Sequence, residues 1–444
     1  MLVLQIGDTD LIGNKFNGHD LHLYLREKNI DAKHFVRLKK SKDNNTFRLD
    51  GKYSKEILES NLFINADIVH MHLIHNTDFQ ITHLPIFSAL KPIVITLHEP
   101  FFTTGHCLYP FDCEKWKTCC KDCDKLDVLF KIKYDTTTLN YKIKKEVIQN
   151  SNICAIVASD YMENLVKQSP IWQGKKIYKL PFGINQDVFE PPLDKNLAKR
   201  KLGIKPNDTV IMFRATKNEF KGIETIKEAL KKLKTDSKIT VITVQKKGLL
   251  KEYKHKFNIK EYGWVYDDKK LAELYQATDL FLMPSEQEAF GMMAIEAMSC
   301  AVPVISIKGT SLESVTNAPE CGVCCEKEDF SNEFNRLINN SEELKIRGEK
   351  SYKFAKENYD KDVYVERMIE IYKDIIANHH VKEDWQDVLE QMKKYNGKNY
   401  YSETKVSYAK NPIWKIIYRI IIRPILKAKY GKKKVKDKYD RMYF

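Results

Sequence analysis

Short apolar runs, each followed by a loop and a helix-forming stretch, recur in two series along this 444-residue chain, and that rhythm leaves few folds open. The first series is Leu2 to Ile6, Asp67 to His72, Pro92 to Leu97 and Ile153 to Val157. The second is Thr209 to Phe213, Ile239 to Val244, Leu280 to Met283 and Val304 to Ile307. Runs of four to six residues with few charges suit strands buried on both faces. Helical stretches between such strands make parallel crossovers. The expectation is an α/β chain of two doubly wound, Rossmann-like domains. Pro181 to Pro192, which also holds Gly183 and Pro191, reads as the linker. Residues 1–182 then form the first domain, 183–378 the second, and 379–444 a helical basic tail. Ligands of such sheets sit beyond the carboxyl ends of the strands, so both domains direct their chemistry into one cleft.

The densest chemistry follows the run ending at Met283. Pro284 to Met298 reads as a tight loop entering a short apolar helix, and it carries Glu288 and Glu296 eight positions apart. Such a junction presents free backbone N–H groups at a helix N-terminus, where phosphate binds. Carboxylates repel phosphate, so these two make sense as acceptors for sugar hydroxyls on either side of a diphosphate. Arg214 and Lys221 follow Phe213. Two cations at a strand end suit a nucleotide diphosphate and the charge that grows on a leaving group. Lys217 rivals Lys221 for that role. His98 ends another strand and precedes Glu99. Gly13-Asn14-Lys15-Phe16-Asn17-Gly18 follows the first strand, and glycines there let the backbone approach an anion; Gly18 is the leading candidate. His70 and His72 share a strand face, with His75 nearby. No acid or Cys is evident beside them, so they read as a cleft-lining cluster and not as metal ligands.

Pro284 to Met298 resembles the Glu-x7-Glu signature of the retaining, GT-B-fold glycosyltransferases of family 4. The flanks are similar too. Gly263-Trp264-Val265-Tyr266 resembles the family's nucleotide-base loop, Leu271 to Asp279 the helix leading into the strand, and Pro303 to Ser306 the next strand. Ala301 stands where the family usually has Gly, and Asn17 where a Gly is common. The resemblance runs from about Met1 to Ala377 and implies a GT-B fold whose helix Asp360 to Ala377 crosses back to the first domain. It implies that Glu296 holds the ribose of a nucleotide-sugar donor and Glu288 its sugar, with backbone amides around Phe290, Gly291 and Met292. Arg214 and Lys221 would bind the diphosphate. In related enzymes a His at the place of His98 lies beside the donor sugar. Retaining transfer is drawn there as same-face attack, with the leaving phosphate taking the acceptor proton; His98 then positions the sugar and steadies the transition state. Glu99 becomes a candidate for acceptor hydroxyls. No divalent metal is expected in catalysis, because protein cations and helix ends take that role. Two rivals remain: a GT-B sugar-nucleotide epimerase, and a non-catalytic membrane-bound scaffold.

The formal charge of +14 is concentrated at the end of the chain, where residues 412–444 carry eleven Lys/Arg against two Asp. Lys415, Arg419, Arg423 and Lys427 repeat at helical spacing beside Ile, Trp, Tyr and Leu. That make-up suits an amphipathic helix lying on anionic lipid; a helix docked on the protein's own surface is the alternative. No nucleic-acid reader motif is visible. Met1 to Gly7 is too short for a secretory signal and lacks a basic start, and no apolar run reaches spanning length. The expected location is cytoplasmic, peripheral on the inner face of the cell membrane, with a lipid-linked or soluble glycan as acceptor. In a reducing compartment the ten Cys point to metal more than to disulfides. Cys107, Cys113, Cys120 and Cys123, within an insertion at 101–124, have the make-up of a structural zinc site. Disulfides or free thiols are the other readings. The insertion resembles one in a subset of capsule and colanic-acid-type glycosyltransferases. Cys321, Cys324 and Cys325 read as small apolar core residues.

Overall fold

The computed structural model of the chain describes residues 1–380, apart from positions 12, 14, 15, 17, 50–52, 78 and 128–131. The basic stretch from Lys415 to Lys427 and most of the glycine loop between Gly13 and Gly18 lie outside the described residues.

Seven strands form the first sheet: β1 (Leu2–Thr9), β2 (Asp31–Leu38), β3 (Thr46–Arg48), β4 (Ile68–His72), β5 (Ile93–Thr96), β6 (Ile153–Val157) and β7 (Ile177–Lys179). Six form the second: β8 (Thr209–Ala215), β9 (Ile239–Gln245), β10 (Asn258–Gly263), β11 (Leu280–Met283), β12 (Val304–Ile307) and β13 (Val323–Cys325). Both sheets are parallel throughout. Their orders are β3-β2-β1-β4-β5-β6-β7 and β10-β9-β8-β11-β12-β13. All eight runs picked out in the sequence are strands. The strand order of each sheet reverses once, between β1 and β4 and between β8 and β11. Those are the places where the loops part and leave room for a ligand.

Side chains alternate between the two faces of each strand. On β1, Leu4 and Ile6 pack into one apolar layer with Val69, Met71 and Ile95. Val3 packs on the other face, in the layer that includes Met368 and Tyr372 of the last described helix, Lys361–Ala377. Burying each such side chain contributes roughly 1.5–3 kcal/mol before entropy is counted. That helix starts where Asp360 caps it, its carboxylate accepting from the Asp362 N–H at 2.7 Å. A bridge between Ile184 and Asp360 brings it against the linker. Lys361 then pairs with Glu27 at 2.9 Å, and Asp374 with Lys176 and Tyr178, so the chain's last described helix is fastened to the first sheet. Among the described residues no helix is long and apolar enough to cross a membrane.

Candidate functional site

Beyond β8 the chain makes a single 3-10 turn, Glu219–Lys221, and enters its helix through Gly222. Gly222 has φ 76°, and a Cβ there would sit 2.1 Å from the Pro284 carbonyl oxygen. Only glycine lets the loop after β8 lie this close to the loop after β11. The Glu286 N–H donates to the Phe220 carbonyl at 2.8 Å and knits the two loops together. Lys221 is thereby placed with its Nζ 2.7 Å from the Glu288 carboxylate and 3.1 Å from the Gln287 carbonyl. Both side chains are mostly buried. Lys217, the rival, is exposed.

Arg214, on β8, takes a different direction: its Nε donates to the Gln245 side chain at the end of β9. Gly291, with φ 102°, precedes the helix Met292–Ser299. Glu296 lies on that helix with 3% of its surface exposed, and the Tyr275 hydroxyl donates to its carboxylate at 3.2 Å. Burial and the Glu296 charge hold the Tyr275 phenol well above its ordinary range. The paired acids therefore occupy unlike environments. Glu288 faces a cation between two loops, while Glu296 is buried on its helix against Tyr275.

His98 follows β5 in the first domain and reaches the same loop through aromatic rings. Its imidazole stacks on Phe182 at 5.3 Å, and Phe182 meets Phe290 edge-on at 5.1 Å. Phe16 meets the His98 ring edge-on at 5.6 Å. The Ser159 hydroxyl, just beyond β6, donates to the Ala289 carbonyl at 2.6 Å. The strand ends of the two sheets thus converge on residues 284–291. Burial pushes the His98 imidazole down to about 3, so it is neutral at physiological pH.

Gly18 has φ 79°, and a Cβ there would meet the His72 ring at 2.6 Å, so the end of the glycine loop lies directly on that imidazole. His70 and His72 do share a face, their rings 4.0 Å apart. They are buried at 0% and 2% exposure and do not line the cleft. Nor is the cluster without an acid: His75 Nε2 lies 3.1 Å from Glu99. Burial lifts the Glu99 carboxyl to about 8, opposed by Lys144, whose amine burial lowers to about 7.

The 101–124 insertion contributes a residue that sequence patterning did not flag. Tyr109 is held close enough to Glu288 and Glu99 for both charges to raise its phenol, on top of burial. Tyr109 and Phe111 pack on Phe220, the neighbour of Lys221, at 5.8 and 6.1 Å. The thiols of Cys107, Cys113, Cys120 and Cys123 are all free. Burial and the other three cysteines push the Cys107 thiol up to about 12. Among the described residues no three His, Cys, Asp or Glu side chains are gathered as metal ligands. Cys321 and Cys325 are buried in apolar clusters.

Residues 194–354 match the family model described as Glycosyl transferases group 1. The chain is 25% identical over 169 residues to a D-inositol 3-phosphate glycosyltransferase of Xylanimonas cellulosilytica, an alignment covering 35% of this chain and 40% of that one. It is 34% identical over 123 residues to an uncharacterized 41.2 kDa protein from the cps region of Klebsiella pneumoniae, covering 27% of this chain and 33% of that one. The chain therefore spans less than half the length of these two relatives. The crystal structure of Anabaena HepE in complex with UDP-glucose superposes with a TM-score of 0.61 at 15% identity, over 84% of this chain and all of that one. That likeness establishes the fold, the paired-sheet GT-B architecture.

Proposed function

We propose that the protein is a glycosyltransferase that moves a sugar from a nucleotide-sugar donor to a glycan acceptor with retention at the anomeric carbon. The observation that carries this reading is the Lys221–Glu288 pair in the cleft, beside the loop that Phe182 ties to His98. An acid and a base held face to face can each turn to a separate part of one ligand. The diphosphate takes Lys221 and Arg214 away from Glu288 and Gln245. Glu288 is then free for the donor sugar's hydroxyls, with the amides around Phe290, Gly291 and Met292, while Glu296 serves the ribose side. The bond from the anomeric carbon to the diphosphate oxygen breaks as the acceptor oxygen bonds on the same face, and the acceptor's proton passes to the departing phosphate. Lys221 and Arg214 offset the charge on that phosphate, so the step calls for no divalent metal.

Several observations support the reading. The family-model match, 194–354, contains Arg214, Lys221, Glu288 and Glu296. HepE, of the same fold, was solved with UDP-glucose, which favours a nucleotide-sugar donor. The cps-region relative favours surface polysaccharide synthesis. The basic residues of 412–444 favour a lipid-linked acceptor met at the cytoplasmic face of an anionic membrane. Incubation of the protein with nucleotide sugars tests the reading. Nucleotide release that needs a lipid-linked glycan supports transfer. Interconverted sugar nucleotide supports an epimerase instead, and donor binding without turnover supports a scaffold. Deleting 412–444 should move the protein from the membrane to the soluble fraction.

The four insertion thiols are proposed as a structural zinc staple that closes when metal enters. The Gly105 N–H donates to Cys120 Sγ at 3.2 Å, as backbone amides do to metal-bound thiolates. Lys144, whose amine donates to the Phe101 and Thr104 carbonyls, lies buried close to Cys107 and Cys120, and thiolates there would favour its charged form. Metal analysis of protein purified under reducing conditions should find about one zinc per chain; its absence ends the proposal.

A further inference from the structure

A chain of buried polar side chains runs from the last helix to His98. His70 sits between Tyr372 and Thr96, its Nδ1 2.6 Å from the Tyr372 hydroxyl and its Nε2 2.7 Å from the Thr96 hydroxyl. Gln5 Nε2 donates to the Tyr372 hydroxyl at 3.1 Å. On the other side of the Gln5 amide, Oε1 lies 2.6 Å from His72 Nε2, and His72 Nδ1 lies 3.2 Å from His98 Nε2. His98 Nδ1 has no partner among the described residues, although the side chain is only 8% exposed.

We propose that Gln5 and His72 are positioning residues that fix the tautomer of His98, keeping its proton on Nε2 and presenting the lone pair of Nδ1 to a hydroxyl of the sugar ligand. A neutral imidazole has one donor and one acceptor nitrogen, so a chain of them has a direction. The Gln5 carbonyl oxygen only accepts, so His72 Nε2 donates to it. His72 Nδ1 must then accept, and His98 Nε2 donates. The lone pair that remains, on His98 Nδ1, is buried beside Phe16 and Phe182. An unpaired buried acceptor is destabilising, and a hydroxyl donated by a ligand relieves it. All three rings are neutral because burial disfavours their charged forms, so no proton needs to be removed before the hydroxyl binds. Turning the Gln5 amide over would reverse both arms of the chain and leave His98 with a proton on Nδ1 instead.

The inference rests on the glycosyltransferase reading for the identity of the ligand, and its test separates the two. Nitrogen NMR of the full chain, labelled at histidine and assigned with His98→Asn, reads the tautomer without any turnover. A His98 proton on Nε2 is expected; a proton on Nδ1, or an even mixture, overturns the proposal. His72→Leu should lower kcat about tenfold or more with a smaller change in KM, and should release His98 into both tautomers. His72→Asn, whose side-chain oxygen can take the place of Nδ1, should restore the single tautomer and much of the rate. Equal rates for the two variants, both folded by thermal melting, would refute the role of His72. A wild-type protein that turns over no nucleotide sugar sinks the glycosyltransferase reading while the NMR still decides the tautomer.

Discussion

Lys221 Nζ lies 2.7 Å from the Glu288 carboxylate, an ion pair that joins the loop after β8 to the loop after β11. With side chains 11% and 14% exposed, the pair is shielded from water, so removing either partner leaves a poorly solvated charge behind. A diphosphate has to displace Glu288 from Lys221 before the cation can serve the leaving group. Lys221→Ala should therefore cut kcat by about 100- to 1,000-fold, the usual loss when one preorganised charge at a leaving group is removed. Glu288→Gln should also slow transfer. The double variant should lose much less than the product of the two, because each single change leaves a partner without its counter-ion. Rates of nucleotide release from the three variants check this; multiplicative losses would show that the pair does not act as a unit.

The closeness of those two loops depends on Gly222. Alanine at φ 76° is strained, and its Cβ would fall 2.1 Å from the Pro284 oxygen, which belongs to backbone and cannot swing aside. Gly222→Ala should cost at least about 2 kcal/mol in urea denaturation. It should also weaken binding of the nucleotide diphosphate by pulling Lys221 from its place. Unchanged stability would mean that the loops separate freely.

What the sequence discloses follows burial. The eight runs that were readable are central strands, apolar because helices cover both faces. β2 escaped notice because Lys33, His34 and Arg37 break its apolar character. β3, β7 and β13 have three residues each. β10, at the edge of its sheet, is mostly polar. Strand-end topology marks the loops that hold Lys221 and Glu288, and the resemblance to the family singles out those two residues within them. Gln5 and Tyr372 could not be picked out, since they are 367 positions apart and meet only when the last described helix returns. Tyr109 lies in an insertion with no periodic pattern, so nothing local announces that its phenol stands near Glu288 and Glu99.

Ala301 keeps the turn after the Met292–Ser299 helix, where a glycine would be the easy choice. It does so with φ 57°, a left-handed conformation that costs a residue with a side chain about 1–2 kcal/mol. Glycine removes that strain and gives back part of it as chain entropy in the unfolded state. Ala301→Gly should be stabilising by about 0.5–1 kcal/mol, seen as a rise in the denaturation midpoint with unchanged slope. A fall in stability would show that the alanine methyl makes contacts worth more than the strain.

Acid should unfold this protein early. Burial lowers the imidazoles of His22, His70, His72 and His98, the first to about 4 and the last to about 3. An unfolded histidine takes up its proton near 6.5. Below that pH the unfolded chain takes up protons at these sites that the native one resists, and stability falls as pH drops toward the folded values. Glu99 works in the opposite sense. Its carboxyl, raised to about 8, binds a proton in the native state that the unfolded chain gives up above its ordinary 4.5. Below pH 6.5 several histidines oppose this single carboxyl, so the unfolded chain binds the more protons and stability falls as pH drops. Thermal melts at steps from pH 7.5 to 4.5 should show Tm falling steeply below 6.5. His22→Gln should reduce that slope by about one proton's worth, roughly 1.4 kcal/mol per pH unit, while keeping a polar group near Asp43, whose carboxylate lies 2.8 Å from His22 Nε2. An unchanged slope in that variant would mean His22 is protonated in the native fold, with Asp43 holding its charge.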